Sequence, residues 1–314
     1  MITGASGFIG RHLTHSIQKA QNPWQLRLVS RDVTRLRDST GAAFHTVGDI
    51  DGRTDWSALL QNVDLVVHAA ARVHMLNDTA ASASMQYRRT NTEGTLRLAH
   101  QAAIAGVKRF IFISTVGIHG ISQNHPFLET DNPAPQGPYA KSKLDAEYGL
   151  LNLASHSGMD VVVIRPPLVY GSDAPGNFSR LATIVRCGVP LPLGSIQNLR
   201  SLVAIDNLVD FIQHCMLHPA AANQDFLISD DKDISTPVLI QNMCAAMQKP
   251  VRLVPVPLIF LKCGAACLRK QDMLHQLTST LQVNIHKART LLKWKPKVTP
   301  IEGLYKALSP TLNL

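Results

Sequence analysis

Aromatic residues make up only 5% of this chain and charged residues 17%, and cysteine occurs just five times, at Cys187, Cys215, Cys244, Cys263 and Cys267. Each shortage excludes something. Low charge beside 45% hydrophobic residues excludes a disordered chain, because that much apolar surface can fill a sizeable core. An odd cysteine count without a Cys-x-x-Cys pair argues against a disulfide framework and against a zinc site, so no metal is expected. The expectation is buried thiols in a reducing cytoplasm. Sparse aromatics and the lack of any run of five basic residues argue against a nucleic-acid partner, although the net charge is +9 and the pI about 9.5. That balance suits a small anionic ligand such as a diphosphate. No secretory leader is visible. The most apolar stretch, 254–268, is broken by Pro255, Pro257, Lys262 and Gly264, so it is too short to span a bilayer. With Arg269 and Lys270 behind it, segment 254–270 fits a membrane-surface contact at most.

What is present is alternation. Near-continuous apolar runs at 26–30, 65–70, 110–114 and 161–165 read as strands of a parallel sheet covered on both faces. Helical stretches at 9–20, 86–105 and 139–157 lie between them. This order predicts an α/β fold, a Rossmann-like doubly wound parallel sheet over residues 1–170. Beyond Tyr170 the pattern loosens into proline and glycine clusters, which predicts a smaller C-terminal substrate-binding lobe over 171–314. Residues 201–205 are expected to return to the sheet and 207–217 to form a helix, a returning segment near 200–218. Only Met1 to Thr3 precede the first glycine, whereas a buried strand has about five to six residues. The N-terminus therefore reads as short, with loss of central-strand hydrogen bonds as the expected consequence.

The run Thr3-Gly4-Ala5-Ser6-Gly7-Phe8-Ile9-Gly10 spaces glycines by three and then enters a helix. Gly4 suits the tight turn, Gly7 the approach of a pyrophosphate, and Gly10 close helix packing. Free N–H groups at the helix start favour the anion. An acidic residue about 20 positions later normally binds the adenosine ribose. Here strand 26–30 ends in Ser30-Arg31, with Asp32 a position or two late. Arg31 either meets a 2′-phosphate, which favours NADP over NAD, or is a solvated loop charge. Asp49 and Ile50, after the next strand, are placed to touch the adenine.

Tyr139 and Lys143 are four apart, on one face of a helix. A lysine charge there lowers the phenol pKa and lets Tyr139 act as general base or acid. With the glycine loop upstream, this pair makes the chain resemble the extended short-chain dehydrogenase/reductase family of the NAD-dependent epimerase/dehydratase type, over roughly residues 2–296. The resemblance implies further roles. His68, Ala69 and Ala70 match a strand end beside the cofactor, and Asn91 a structural helix asparagine. In Phe110 to Thr115, Thr115 matches the catalytic hydroxyl that bonds the substrate oxygen and Ser114 the cofactor side. In Arg165 to Gly171, residues Pro166 to Leu168 match the turn passing the nicotinamide. Asn177, in Gly176-Asn177-Phe178, matches a contact to the nucleotide diphosphate, Leu191 to Gly194 the uracil side, and Arg200 the arginine that grips the diphosphate.

Two departures narrow the activity. The dehydratases of this family carry Asp-Glu directly after the catalytic threonine; here Thr115 is followed by Val116-Gly117. The later arginine of UDP-galactose epimerases has no clear counterpart near 271–280, with Arg269 or Lys270 as substitutes. His74 and His119 read as loop histidines, and Glu129 and Asp131 as a solvated loop near the sugar. The resemblance implies an NAD(P)-dependent enzyme acting on C4 of a UDP-sugar, as occurs in bacterial surface-polysaccharide assembly. A UDP-hexose or UDP-N-acetylhexosamine 4-epimerase is the first reading, and a UDP-4-keto-6-deoxy-N-acetylhexosamine 4-reductase the alternative. A non-catalytic dinucleotide-binding protein is the third, against which the intact Tyr139, Lys143 and Thr115 speak. The family also implies a homodimer through 86–105 and 139–157, in the cytoplasm.

Overall fold

In the computed structural model, which describes residues 1–20, 24–32, 34, 42–73, 80–121, 124–267 and 271–309, the chain opens with β1 (Ile2–Thr3), α1 (Phe8–Lys19), β2 (Arg27–Ser30) and β3 (Ala43–Thr46). Then come α2 (Ser57–Leu60), β4 (Leu65–His68), α3 (Ala80–Tyr87), a π-helical turn over Arg88–Gly94, and α4 (Thr95–Ile104). β5 (Arg109–Ile113), α5 (Gly137–Ser157) and β6 (Asp160–Arg165) complete the alternating half. The strands form one parallel sheet in the order β3-β2-β1-β4-β5-β6, with β9 (Gln224–Leu227) added beyond β6. This is the expected doubly wound architecture.

Alternation along the strands sorts side chains between two cores. Ile111, Ile113, Val162 and Ile164 face α1 and, through Leu208, Phe211 and Ile212, helix α7 (Ile205–Leu217). Phe110, Phe112, Val161 and Val163 face Leu98 and Ala102 of α4 and Ala146 and Leu150 of α5. Because both faces are covered, β4 and β5 show no polar alternation.

The second half builds the lobe: β7 (Leu168–Tyr170), α6 (Asn177–Arg186), β8 (Leu202–Ala204), α8 (Thr236–Ala246), α9 (Leu258–Cys267), α10 (Gln271–Thr278), α11 (His286–Leu291) and α12 (Pro300–Leu308). Tyr170, Phe178, Leu202, Ile240, Met243 and Leu304 form its core, and Phe8 packs against both this core and the sheet core.

Four expectations need correction. β8 does not return to the main sheet; it pairs with β7 in a separate two-stranded sheet, and β9 takes the edge position instead. The helix expected over 86–105 is interrupted by the π-turn. Cys187, Cys263 and Cys267 are exposed, while only Cys215 and Cys244 are buried. The short β1 still pairs on both sides: Ile2 with Leu28 and Val67, Thr3 with Val29 and His68. The Met1 amino group donates to the Leu65 carbonyl at 2.7 Å, and burial pushes its pKa down to about 5. Below it, a cavity of about 610 Å³ opens between the starts of β2 and β4, lined by Leu26, Leu65, Val67 and Met216 among others.

Candidate active site

The C-terminal ends of β1 and β4 diverge at the centre of the sheet, where connections leave to opposite sides. The glycine loop fills this point. Gly4 has φ +68°, and a Cβ on it would lie 2.6 Å from the Ala70 nitrogen. A Cβ on Gly10 would lie 2.3 Å from the Gly4 carbonyl oxygen. Helix α1 then begins at Phe8 with no acidic residue in its first turn and no side chain capping it, which leaves N–H groups available to an anion.

A groove of about 270 Å³ runs from this loop along the strand ends. It brings together Gly4, Ser6, Gly7, Arg31, Asp49, Ile50, Ala69 and Ala70, all expected from the sequence. Arg72, Gln86, Arg89 and Thr90 also line it and carried no sequence signal. Ser30, at the strand end before Arg31, shares a short hydrogen bond with Ser6 and accepts from the Asp32 amide at 3.2 Å. Asp32 turns its carboxylate to the Thr34 amide at 3.0 Å. Arg31 meets Asp49 at 3.6 Å, both well exposed. Ile9 and Phe8 belong to α1, and Phe8 lies edge-on to His12 and packs on the lobe.

His68 is placed differently from expectation. Its ring is fully buried between Thr3 (Nδ1 to Oγ1, 2.6 Å) and Thr95 (Nε2 to Oγ1, 2.9 Å), stacked on Phe112. Burial, then the nearby Lys143, pushes it down to about 3, so it is a neutral core residue beneath the groove. Asn91 performs the structural role expected of it. It exchanges hydrogen bonds with the Arg72 backbone at 2.8 and 3.0 Å and donates to Ser142 Oγ at 3.1 Å. Thr92 donates to the Ser142 carbonyl at 2.8 Å. The π-turn thus aims two consecutive polar side chains at α5, a placement for which π-turns recur at functional sites.

Tyr139 and Lys143 lie one turn apart at the start of α5. Tyr139 is half-buried and edge-on to Tyr87, and burial, then Tyr87, pushes its phenol up to about 12. Lys143 is buried, donates to the Ile113 carbonyl at 2.7 Å and sits 4.3 Å above the Phe112 ring. Burial drives its pKa down to about 7, with Glu147 pulling it back up. Thr115 caps the 3₁₀ turn Val116–His119, its Oγ1 accepting from the Gly117 amide at 3.1 Å. A Cβ on Gly117 would lie 3.4 Å from Thr115 Oγ1 and 3.7 Å from the Ala140 Cβ, so Thr115 and the start of α5 adjoin. Pro166 accepts from the Val116 amide at 3.0 Å, and Leu168 begins β7.

Ser114 is buried at the end of β5. It donates to Glu147 in a short hydrogen bond. Arg165 from β6 meets Glu147 at 2.7 Å and Asp225 of β9 at 2.6 Å, and Lys287 meets Asp225 at 2.6 Å. Burial works against the Arg165 charge, but Glu147 and Asp225 outweigh it and hold its pKa above the usual arginine value. His119 is buried beside this cluster, with Nε2 3.4 Å from Arg165; burial, then Arg165, pushes it down to about 4. Glu129 is not solvated: it accepts from the Leu227 amide at 2.9 Å, and burial raises its pKa. Asp131 accepts from the Leu128 amide at 2.8 Å. His74, Arg269 and Lys270 lie outside the described residues.

In the lobe, Asn177 and Arg200 converge on one residue. Asn177 opens α6 and donates to Gln276 Oε1 at 2.7 Å, and Arg200 donates to the Gln276 carbonyl at 2.6 Å. Arg200 also meets Ser279 Oγ at 3.1 Å. Among the described residues no carboxylate pairs with it, and burial lowers its pKa. A half-enclosed guanidinium held by carbonyls and a hydroxyl retains donors for an anion.

Comparison with known sequences decides the family: a sequence model of the NAD dependent epimerase/dehydratase family matches residues 1–229. The chain belongs to the NAD-dependent epimerase/dehydratase family. A UDP-glucose 4-epimerase of Vibrio cholerae is 42% identical over 96% of this chain and 92% of its own length. Among solved structures, the fold matches a UDP-glucuronic acid 4-epimerase from Bacillus cereus in complex with NAD (TM-score 0.79, 21% identity, 98% and 96% of the two chains). It also matches a UDP-glucose 4-epimerase from Thermotoga maritima with UDP-glucose (TM-score 0.77, 23% identity, 98% and 96%). A member of this epimerase/dehydratase family is an NAD(P)-dependent enzyme, and the residues present fit that cofactor. The side-chain-free approach at Gly4 and Gly7 and the uncapped start of α1 suit a pyrophosphate. The groove past Ser30 and Asp49 suits the adenosine.

Proposed function

We propose that this protein is a UDP-sugar 4-epimerase acting on a UDP-hexose or UDP-N-acetylhexosamine. The observation that carries the reading is the junction of Thr115, Gly117 and the start of α5. There Thr115 adjoins the start of α5, the helix that carries Tyr139 and Lys143, and only Val116 and Gly117 stand where a dehydratase would have an acid and a base. The V. cholerae relative supports the same activity.

The nicotinamide, when bound, supplies a reversible hydride acceptor for the sugar C4. Tyr139 takes the proton of the C4 hydroxyl, and Thr115 orients that hydroxyl. The Lys143 ammonium, held to the Ile113 carbonyl, provides the positive field that brings the raised phenol into working range. Asn177 and Arg200 anchor the diphosphate while the 4-keto sugar turns over and is reduced on its other face. Returning the proton from Tyr139 completes the cycle with no net change in the cofactor. Two copies pair through α4 and α5, where Ile104, Tyr148 and Leu151 are exposed. A monomer mass by light scattering would remove that pairing.

Arg31 favours a second reading, a 4-ketoreductase consuming NADPH, because a guanidinium at the end of β2 suits a 2′-phosphate. Incubation with UDP-N-acetylglucosamine or UDP-glucose and NAD, without reductant, separates the two. The C4 epimer appears if the protein is an epimerase. NADPH oxidation with a UDP-4-keto-6-deoxy-N-acetylhexosamine, and no epimer, would make it the reductase.

A further inference from the structure

Helix α9 inverts the usual logic of an amphipathic helix. Its sequence, LIFLKCGAAC, is apolar apart from Lys262, yet none of its residues is buried. Ile259 and Phe260 are each 66% exposed. A soluble surface helix normally turns such residues inward. The exposed apolar surface continues beyond the helix. The segment before α9 runs beside residues 189–194: Leu191 and Arg252 are joined at 2.8 Å, Leu191 and Val254 at 2.9 Å, and Gly194 and Val254 at 3.0 Å. Val189, Val251 and Val254 are exposed along that seam. A contiguous apolar patch of this kind marks an interaction surface.

Charge identifies what covers it. Between Asp233 and Asp272 the chain has no acidic residue, and its charges there are Lys249, Arg252, Lys262, Arg269 and Lys270. Lys249 and Arg252 flank the exposed valines, Lys262 sits within α9, and Arg269 and Lys270 follow it in sequence. An isologous contact between two copies would set like charges against each other with no acid to answer them. An anionic bilayer surface answers both halves of the pattern: apolar side chains enter the headgroup boundary, and lysine and arginine reach the lipid phosphates. Among the described residues, no helix is long and apolar enough to cross a membrane. The match is to lying on the surface.

We propose that α9 and the adjoining segment 249–254 dock this enzyme on anionic membrane surfaces. Leu191 and Gly194, which join this segment, belong to the stretch read as the uracil side of the substrate site, so docking sets the mouth of the lobe close to the lipid surface. The contact does not depend on which sugar is turned over.

The test is co-sedimentation of the full chain with sucrose-loaded vesicles, either of phosphatidylglycerol mixed with phosphatidylcholine or of phosphatidylcholine alone. The wild type is expected to pellet with the anionic vesicles, far less with the neutral ones, and less as salt rises. Ile259→Glu with Phe260→Glu should lower the bound fraction by about tenfold or more, since it replaces inserted apolar groups by charge. Turnover of the soluble nucleotide sugar should stay unchanged, because neither residue belongs to the catalytic groups. Arg252→Glu with Lys262→Glu, which leaves the apolar residues intact, should weaken binding to the anionic vesicles alone. Absence of pelleting, equal pelleting of both vesicle types, or unchanged binding by both double variants would overturn the proposal. So would a wild-type oligomer that dissociates in the Ile259/Phe260 variant, which would assign the face to a second copy.

Discussion

At the scale of single residues, the site divides into groups that touch substrate and groups that hold those groups in place. On the proposed mechanism, replacing Tyr139 by Phe removes the proton acceptor and leaves the shape. We expect kcat to fall by about 10²–10⁴ with little change in KM, measured by epimer formation. Glu147 acts through Lys143. Set one turn further along α5 and joined to Ser114 and Arg165, it is the anion that offsets the burial of the lysine. In Glu147→Gln the Lys143 charge should be lost at lower pH, so the alkaline limb of the activity profile should move down by about 0.5–1 unit, with Glu147→Asp restoring part of it. An unmoved pH profile with reduced activity would make Glu147 a packing residue only. The Tyr139–Lys143 pair was legible because helical spacing puts the two on one face. Glu147 was not, since a glutamate at the next turn reads as a solvated charge until strand β6 is known to bring Arg165 beneath it. His68 shows the converse. Its place at a strand end implied the cofactor, but its side chain points into the core, where Thr3 and Thr95 meet both ring nitrogens.

At the scale of elements, the glycine loop and its flanking strands fit the cofactor. Gly4→Ala adds a Cβ 2.6 Å from backbone at a positive φ, so neither rotation nor a flexible neighbour can relieve it. A loss of roughly 2 kcal/mol or more in stability is expected, with NAD binding weakened in parallel, checked by urea unfolding and calorimetric titration. The strands β2, β4, β5 and β6 and the helices α1 and α5 could be read from the sequence, because continuous apolar runs and helical periodicity announce them. β8 and β9 could not be assigned correctly. Length does not separate them, since β2 and β4 also have four residues; their choice of partner depends on contacts far away along the chain. The π-turn was invisible for a related reason: its extra residue per turn is fixed by Asn91 and Thr92 reaching α5, not by local propensity.

At the scale of the whole molecule, three groups buried in uncharged form set how the fold responds to acid. His68 and His119 are pushed down to about 3 and 4, and the Met1 amino group to about 5. All three take up protons more readily in the unfolded chain, so their stabilising contribution is full above the unfolded values and is lost as pH falls. The loss begins near pH 8 for the amino group and near 6.5 for the histidines, with a slope approaching about 1.4 kcal/mol per pH unit for each titrating group. The urea midpoint should therefore fall from pH 8 to pH 5, and His68→Asn should flatten the part below 6.5. A flat midpoint over that range would contradict the burial of these groups. Function at this scale is the meeting of two halves: a sheet that holds the dinucleotide, and a lobe whose Asn177 and Arg200 share Gln276. In the sheet half the glycine loop and the alternating strands and helices were legible. Gln276, 99 residues from Asn177, was not, because only the folded lobe sets the two side by side. The most direct measurement is proton NMR of the purified chain with UDP-N-acetylglucosamine or UDP-glucose and NAD, with no reductant added. The anomeric signal of the C4 epimer should grow to equilibrium, and it should be absent in Tyr139→Phe. A folded, NAD-bound protein that forms no epimer from either sugar, yet oxidises NADPH with a 4-keto sugar nucleotide, would contradict the assignment.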